Sequence, residues 1–225
     1  MSSRCPRGRN DTAMTDLSLA RKEPSAAEAR RDLVLRAAQR VFEEKGLDGA
    51  SIRLIAKAAG CTTGSIYPYF TGREEIYAEL LSRSLDDYER FLTSRIVRGA
   101  SPSLRFEAAL SAHFEFYDKR RSDMSLALYL FNGLKPQGLT PQLDVRLNVQ
   151  LGAIQAIFAT CVRELTGATG REVDDEVGAH LAMLFGLLVL HHTRRTRVLR
   201  TDARVLLRRH IRQSLSRLQG GPGSA

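Results

Sequence analysis

The sequence predicts an all-α protein, with an N-terminal three-helix unit containing a helix-turn-helix and a larger C-terminal helical unit behind it. Three observations predict it. Apolar residues recur at i, i+3, i+4 and i+7 in segment after segment, as in Val34, Ala37, Ala38, Val41 and Phe42, which is the pattern of a helix with one buried face. Glycines such as Gly46, Gly60 and Gly167 stand where those runs stop, the position at which a helix turns left-handed and only glycine does so cheaply. Residues 51–70, SIRLIAKAAGCTTGSIYPYF, place small and apolar side chains at the offsets that two steeply crossing helices need.

Residues 1–24 carry Arg4, Arg7, Arg9, Arg21 and Lys22 among Ser, Gly, Pro and Asn and read as a disordered basic arm. A first helix begins near Ser25 and stops at Gly46. Ser51 then offers its oxygen to the free amides of a second helix, whose inner face opens with Ile52, Ile55 and Ala56 and which ends at Gly60. A third, of about seven residues, opens at Thr62. A long helix begins near Arg73, with Ile76, Leu80 and Leu81 inside. Residues 25–72 thus form the predicted helix-turn-helix domain, and residues 73–219 a second helical domain.

In that second domain a helix over 103–121 places Phe106, Leu110, His113, Phe114 and Tyr117 on one face. Another covers roughly 123–131 and is closed by Asn132-Gly133, with a loop marked by Pro136, Gly138 and Pro141. Residues 143–151 (LDVRLNVQL) alternate as a strand would. No turn follows, and Leu151, Ile154, Ile157, Phe158, Cys161, Val162 and Leu165 continue at helical spacing, so one long helix is expected. Two last helices span about 173–195 and 202–219. The first has Val177, Leu181, Leu184 and Leu188 on one side and Met183, Phe185 and Val189 on the other, so it needs cover twice. Residues 220–225 read as a disordered tail.

The composition is 43% hydrophobic with a net charge of +9, enough apolar matter for a core. The charge is unevenly spread. Residues 1–73 hold 13 basic and 8 acidic side chains, residues 74–190 hold 12 and 16, and residues 191–225 hold 9 and 1. A basic head suits a polyanion, while the basic tail is equally well an arginine-covered terminal helix. Cys5, Cys61 and Cys161 lie far apart without metal spacing, as in a reduced intracellular protein. The first 24 residues lack a secretory apolar region. The longest apolar run, Leu181 to Leu190, falls short of the roughly 20 residues a bilayer needs, so a cytoplasmic protein outside the membrane is expected.

The function-bearing segment is residues 51–70. Ala56 is small where two helices would cross, Gly60 permits the turn, and Ile55 and Ile66 plug the shared core. A helix presented this way enters the major groove of DNA. Thr62 would cap that helix, whose free amides suit phosphate. Thr63, Ser65, Tyr67 and Tyr69 lie on a segment too polar to be plain core. Arg53 could reach a guanine edge or a phosphate. Arg73 opens a helix where a cation is unfavourable for the dipole, which suggests a compensating anion.

From about Arg30 to Leu81 the chain resembles the tetracycline-repressor (TetR) family of bacterial transcriptional regulators. The likeness rests on Ala37-Ala38 with Phe42, on Gly46, on IAKAAG (Ile55 to Gly60), and on GSIYPYF followed by REEIY. It implies that Ser51 and Thr62 bind backbone phosphates, that Thr63, Ser65 and possible base contact by Arg53 read the groove, that Tyr67 and Tyr69 anchor phosphates, and that Arg73 clamps one. Pro68 departs from the aromatic or His usual there and should distort the end of the segment. The resemblance also implies a small-molecule effector, a double-stranded operator, and a homodimer through the last two helices. For an effector site the sequence offers His113, Phe114, Tyr117, Tyr129, Asn132 and Phe158, with Gln155 beside them, although aromatics at helical spacing equally make core. No nucleophile elbow, phosphate loop, paired carboxylates or metal cluster appears, so no catalytic residue, metal or cofactor is expected. Glu176 and His180 form only a single i, i+4 pair. The rival readings are a regulator governed by a protein partner and a non-specific DNA binder.

Overall fold

The computed structural model describes residues 25–128 and 139–220. The described elements are α1 (Ala26–Lys45), α2 (Ile52–Ala59), a 3-10 turn (Thr63–Ser65), α3 (Arg73–Arg95), α4 (Pro102–Lys119), α5 (Arg121–Leu128), α6 (Pro141–Thr166), α7 (Arg171–His192), a second 3-10 turn (Arg195–Arg197) and α8 (Ala203–Gln219). No strand occurs among the described residues. The basic arm, the loop with Tyr129 and Asn132, and residues 221–225 of the tail lie outside them.

Local chemistry sets most boundaries. Ser25 and Glu28 close α1 with a reciprocal capping box, satisfying two free amides at once. Gly46 takes φ +67° and ψ 177°, a region open essentially to glycine alone. Thr140 caps α6 through Leu143, and Pro141 follows in the first helical position, where its missing N–H is harmless. The alternating stretch 143–151 is therefore helical: Leu147, Ile154, Phe158, Cys161 and Val162 are buried at a spacing near 3.6, and that long-range period prevails over the short alternation. α5 starts two residues before its expected position, and its expected end near Phe131 lies outside the described residues.

α1 packs on α2 and on α3, and the first 3-10 turn packs on α2. The rest of α3 joins α4, α6 and α7 in a bundle, with α5 bridging to α1 and α8 lying on α4, α6 and α7. One continuous apolar cluster runs through both parts, from Val34 to Ile211. α6 is long and apolar enough to cross a membrane by length and composition. It packs against α3, α4, α7 and α8, and leaves Val145 and Val149 exposed.

Candidate nucleic-acid interface

The site is built from α2 outward. Ser51 is extended and its Oγ accepts from the Leu54 N–H at 3.3 Å, fixing where α2 begins. Ile55 and Ala56 face inward at 0% and 3% exposure, leaving Arg53, Leu54 and Lys57 on the outer face. Neither Arg53 nor Lys57 makes an ion pair among the described residues, so the face is net positive. Gly60 sits at φ 66° and ψ 35°. Its N–H reaches the Lys57 carbonyl at 3.2 Å, and the Cys61 N–H reaches Ala56 at 3.0 Å, the paired bonds of a left-handed helix stop.

The segment after the turn departs from the expected seven-residue helix. It is a 3-10 turn, Thr63–Ser65, continued by further turns through Tyr69. Bonds run from Ser65 N–H to Thr62, from Ile66 N–H to Thr63, and from the Tyr69 and Phe70 N–H groups to Ile66. Pro68 explains the irregularity, because it brings no N–H and disfavours helical geometry at Tyr67. Thr62 also differs from its expected role. No side-chain cap forms; its Oγ1 instead pairs with Ser65 Oγ at 2.9 Å. Ile66 and Phe70, at 0% and 1% exposure, anchor the segment in the core. Between them Tyr67 stands 57% exposed, with Pro68 exposed and Tyr69 half-buried. Thr63 is exposed as well.

Arg73, expected as a phosphate clamp, is engaged by its own chain. Its Nη1 donates to the carbonyls of Leu47 at 2.9 Å, Asp48 at 3.0 Å and Ala50 at 2.8 Å, and its Nε to Glu74 at 2.8 Å. Three carbonyls of the α1–α2 loop thus converge on one cation. The side chain ties the start of α3 to the start of α2 and so sets the tilt of the presented face. This role was invisible in the sequence because the three acceptors are backbone atoms.

A second feature lies in the bundle. A cavity of about 620 Å³ is walled by α3, α4, α5, α6 and α7. His113 and Tyr117 line it as expected, as does Gln155. Phe114 and Phe158 do not: Phe114 packs beside His191, and Phe158 lies behind the His113 ring. Tyr129 and Asn132 fall outside the described residues. Tyr88, absent from the expected residues, joins the site by bonding His113 Nδ1 at 2.6 Å; its place one turn beyond Leu85 on the inner face of α3 was the available signal. Burial pushes His113 down to about 3 and the Tyr117 hydroxyl above its ordinary range, so His113 is neutral at pH 7.

The Glu176–His180 pair extends into a short chain. His180 Nδ1 meets His210 Nε2 at 2.9 Å, its Nε2 lies 2.9 Å from Glu176, and Arg217 pairs with Glu176. Burial lowers His180 to about 4. These groups join α7 to α8.

Residues 34–80 match the family profile of bacterial regulatory proteins, tetR family. The chain is 30% identical over 104 residues to the HTH-type transcriptional repressor KstR2 of Rhodococcus jostii (strain RHA1), covering 46% of this chain and 51% of the relative. It thus spans about half the length of such curated relatives. Its fold is that of the fatty acid degradation regulator FadR of Bacillus halodurans, with a TM-score of 0.65 at 19% identity, covering 91% of this chain and all of the other. The same fold occurs in FadR of Bacillus subtilis in complex with stearoyl-CoA, with a TM-score of 0.64 at 20% identity over 82% of this chain and 97% of that one. Over residues 34–80 the chain thus carries the helix-turn-helix segment of the tetR family of bacterial regulatory proteins, within an all-helical fold that these solved structures share.

Proposed function

We propose that the protein is a sequence-specific DNA-binding transcriptional regulator, a repressor released from a pseudo-palindromic operator by a small effector. The observation that carries this reading is the outward presentation of Thr62, Thr63, Tyr67 and Pro68 on a segment held by the buried anchors Ile66 and Phe70. Thr63, Ser65 and Arg53 are the proposed base contacts, and Ser51, Thr62, Tyr67 and Tyr69 the phosphate contacts. Arg73 acts as a positioning residue. Residues 25–72 serve as the DNA-binding domain and residues 73–219 as the effector-binding and dimerisation domain, in a cytoplasmic protein with no catalytic role.

The cavity favours a small effector over control by a protein partner. The stearoyl-CoA held by the Bacillus subtilis FadR supports an apolar occupant here. α3 offers the route of coupling, because Leu81, Leu85 and Tyr88 wall the cavity while Arg73, about 12 to 22 Å up the same helix, holds the α1–α2 loop. A ligand that displaces α3 changes the separation of two recognition segments, a coupling of typically ~1–3 kcal/mol.

A homodimer through α7 and α8 supplies the second segment. It rests on what the likeness to the tetR family implies for the last two helices.

The test is a fluorescence-anisotropy titration against the intergenic DNA flanking the gene and against a scrambled duplex, at two salt concentrations. A preference of about a thousandfold or more with steep salt dependence is expected. Equal affinity for both duplexes would make the protein a non-specific binder and overturn the reading.

A further inference from the structure

His113, one of the residues lining the cavity, carries a buried polar atom that the protein leaves unused. His113 is 1% exposed, and its Nε2 has no hydrogen-bond partner among the described residues. Its other nitrogen meets the Tyr88 hydroxyl. Two proton arrangements are open to this pair. If Nδ1 carried the proton, the Tyr88 hydrogen and the Nε2 lone pair would both be stranded in the core. If Tyr88 donates to Nδ1, only the Nε2–H is stranded. Buried polar groups are overwhelmingly satisfied, so the second arrangement is the better one, and it makes Nε2 a donor.

The surroundings restrict what that donor meets. Tyr117, Phe158 and Phe185 pack their rings around His113. Among the described residues no Asp, Glu, Lys or Arg lines the cavity. Burial leaves the imidazole uncharged at neutral pH. A carboxylate brought here would lose its water and gain no cation from the described residues, which is strongly unfavourable.

Resting on the reading of this cavity as the effector site, we propose that it takes an uncharged, mainly apolar ligand whose single acceptor, a ketone, ester or thioester carbonyl, receives the Nε2–H of His113. The site selects against the matching free carboxylate. Tyr88 is the positioning residue that fixes the donor tautomer.

Isothermal titration calorimetry of the full chain with 2-decanone, n-decane and decanoate at pH 7.5 tests this. The ketone should bind about tenfold tighter than the alkane, the worth of one good hydrogen bond, and decanoate at least tenfold weaker than the ketone. His113→Phe should bring ketone and alkane to equal affinity, and His113→Gln, which keeps a donor, should restore part of the preference. Circular dichroism confirms that each variant is folded. Ketone and alkane binding alike in the wild type, or decanoate binding as well as the ketone, would overturn the polarity assignment and leave the effector cavity standing. Failure of all three probes to bind, with operator binding intact, would instead remove the cavity as an effector site, and this assignment with it.

Discussion

The DNA-facing segment and the bundle cavity handle their polar groups in opposite ways. Around Thr63 and Tyr67, nearly every backbone group is consumed locally: Gly60 and Cys61 close α2, Arg73 collects three loop carbonyls, and Ile66 accepts from two amides. Side chains are thereby left outside with nothing to do inside the chain. In the cavity the reverse holds. Apolar packing is left incomplete, and a buried polar atom, His113 Nε2, is left without a partner among the described residues. A protein surface reads a polyanion with many weak, water-competed contacts. A buried pocket needs few polar groups, because each counts for more away from water.

Removing a core anchor should damage the first region most. Ile66→Ala is expected to destabilise by about 2–5 kcal/mol and to abolish operator preference, as read by urea denaturation and anisotropy; a change confined to DNA affinity would show that Ile66 is no anchor. Next comes Arg73→Ala, which strands three carbonyls and should cost about 1–3 kcal/mol in the same denaturation measurement. A residue that only touched phosphate would leave stability unchanged and lower the salt slope by about one, so the two roles separate cleanly. Thr63→Ala should do the opposite of Arg73→Ala. Stability stays within about 0.5 kcal/mol, while specific affinity falls by roughly 1–3 kcal/mol against operator but not against scrambled DNA.

The cavity should show itself through pH. His113 and His180 have folded values of about 3 and about 4, both below the ordinary 6.5. The unfolded chain therefore binds more protons in acid, so stability is fully present above about 6.5 and declines as pH falls toward the folded values. The slope is up to about 1.4 kcal/mol per pH unit for each group. His113→Phe should flatten that decline by about one proton in denaturation at pH 4 to 6, and an unchanged slope would mean the ring is not buried as described. The smallest effect belongs to Gly178→Ala. Its Cβ would enter open space at the cavity wall, so the variant should be more stable by up to about 1 kcal/mol in urea denaturation, and a loss of stability would show that space to be filled.

Much of this could be read without coordinates. The α1 face from Val34 to Phe42, the stop at Gly60 and the anchors Ile55 and Ile66 are set by short-range periodicity and by backbone conformations that few residues adopt. α6 was legible only once its run to Leu165 was weighed against nine alternating residues. Pro68 announced a distortion, yet how far it unwinds the segment depended on Ile66 and Phe70 being pinned below. Tyr88, Phe114 and Phe158 show the limit: all are apolar-face aromatics, and only the packing of α3, α4 and α6 decides which of them meets empty space.

Helix positions, their caps and the outward turn follow from residues within about five positions of one another, because hydrogen-bond rings and glycine conformations are local. The clamp from Arg73 to Leu47, Asp48 and Ala50, the Tyr88–His113 pair and the His180–His210 contact join residues 23 to 30 positions apart. Such meetings depend on how whole helices cross and how completely they fill the space between them, and packing of that kind leaves no periodic trace along the chain.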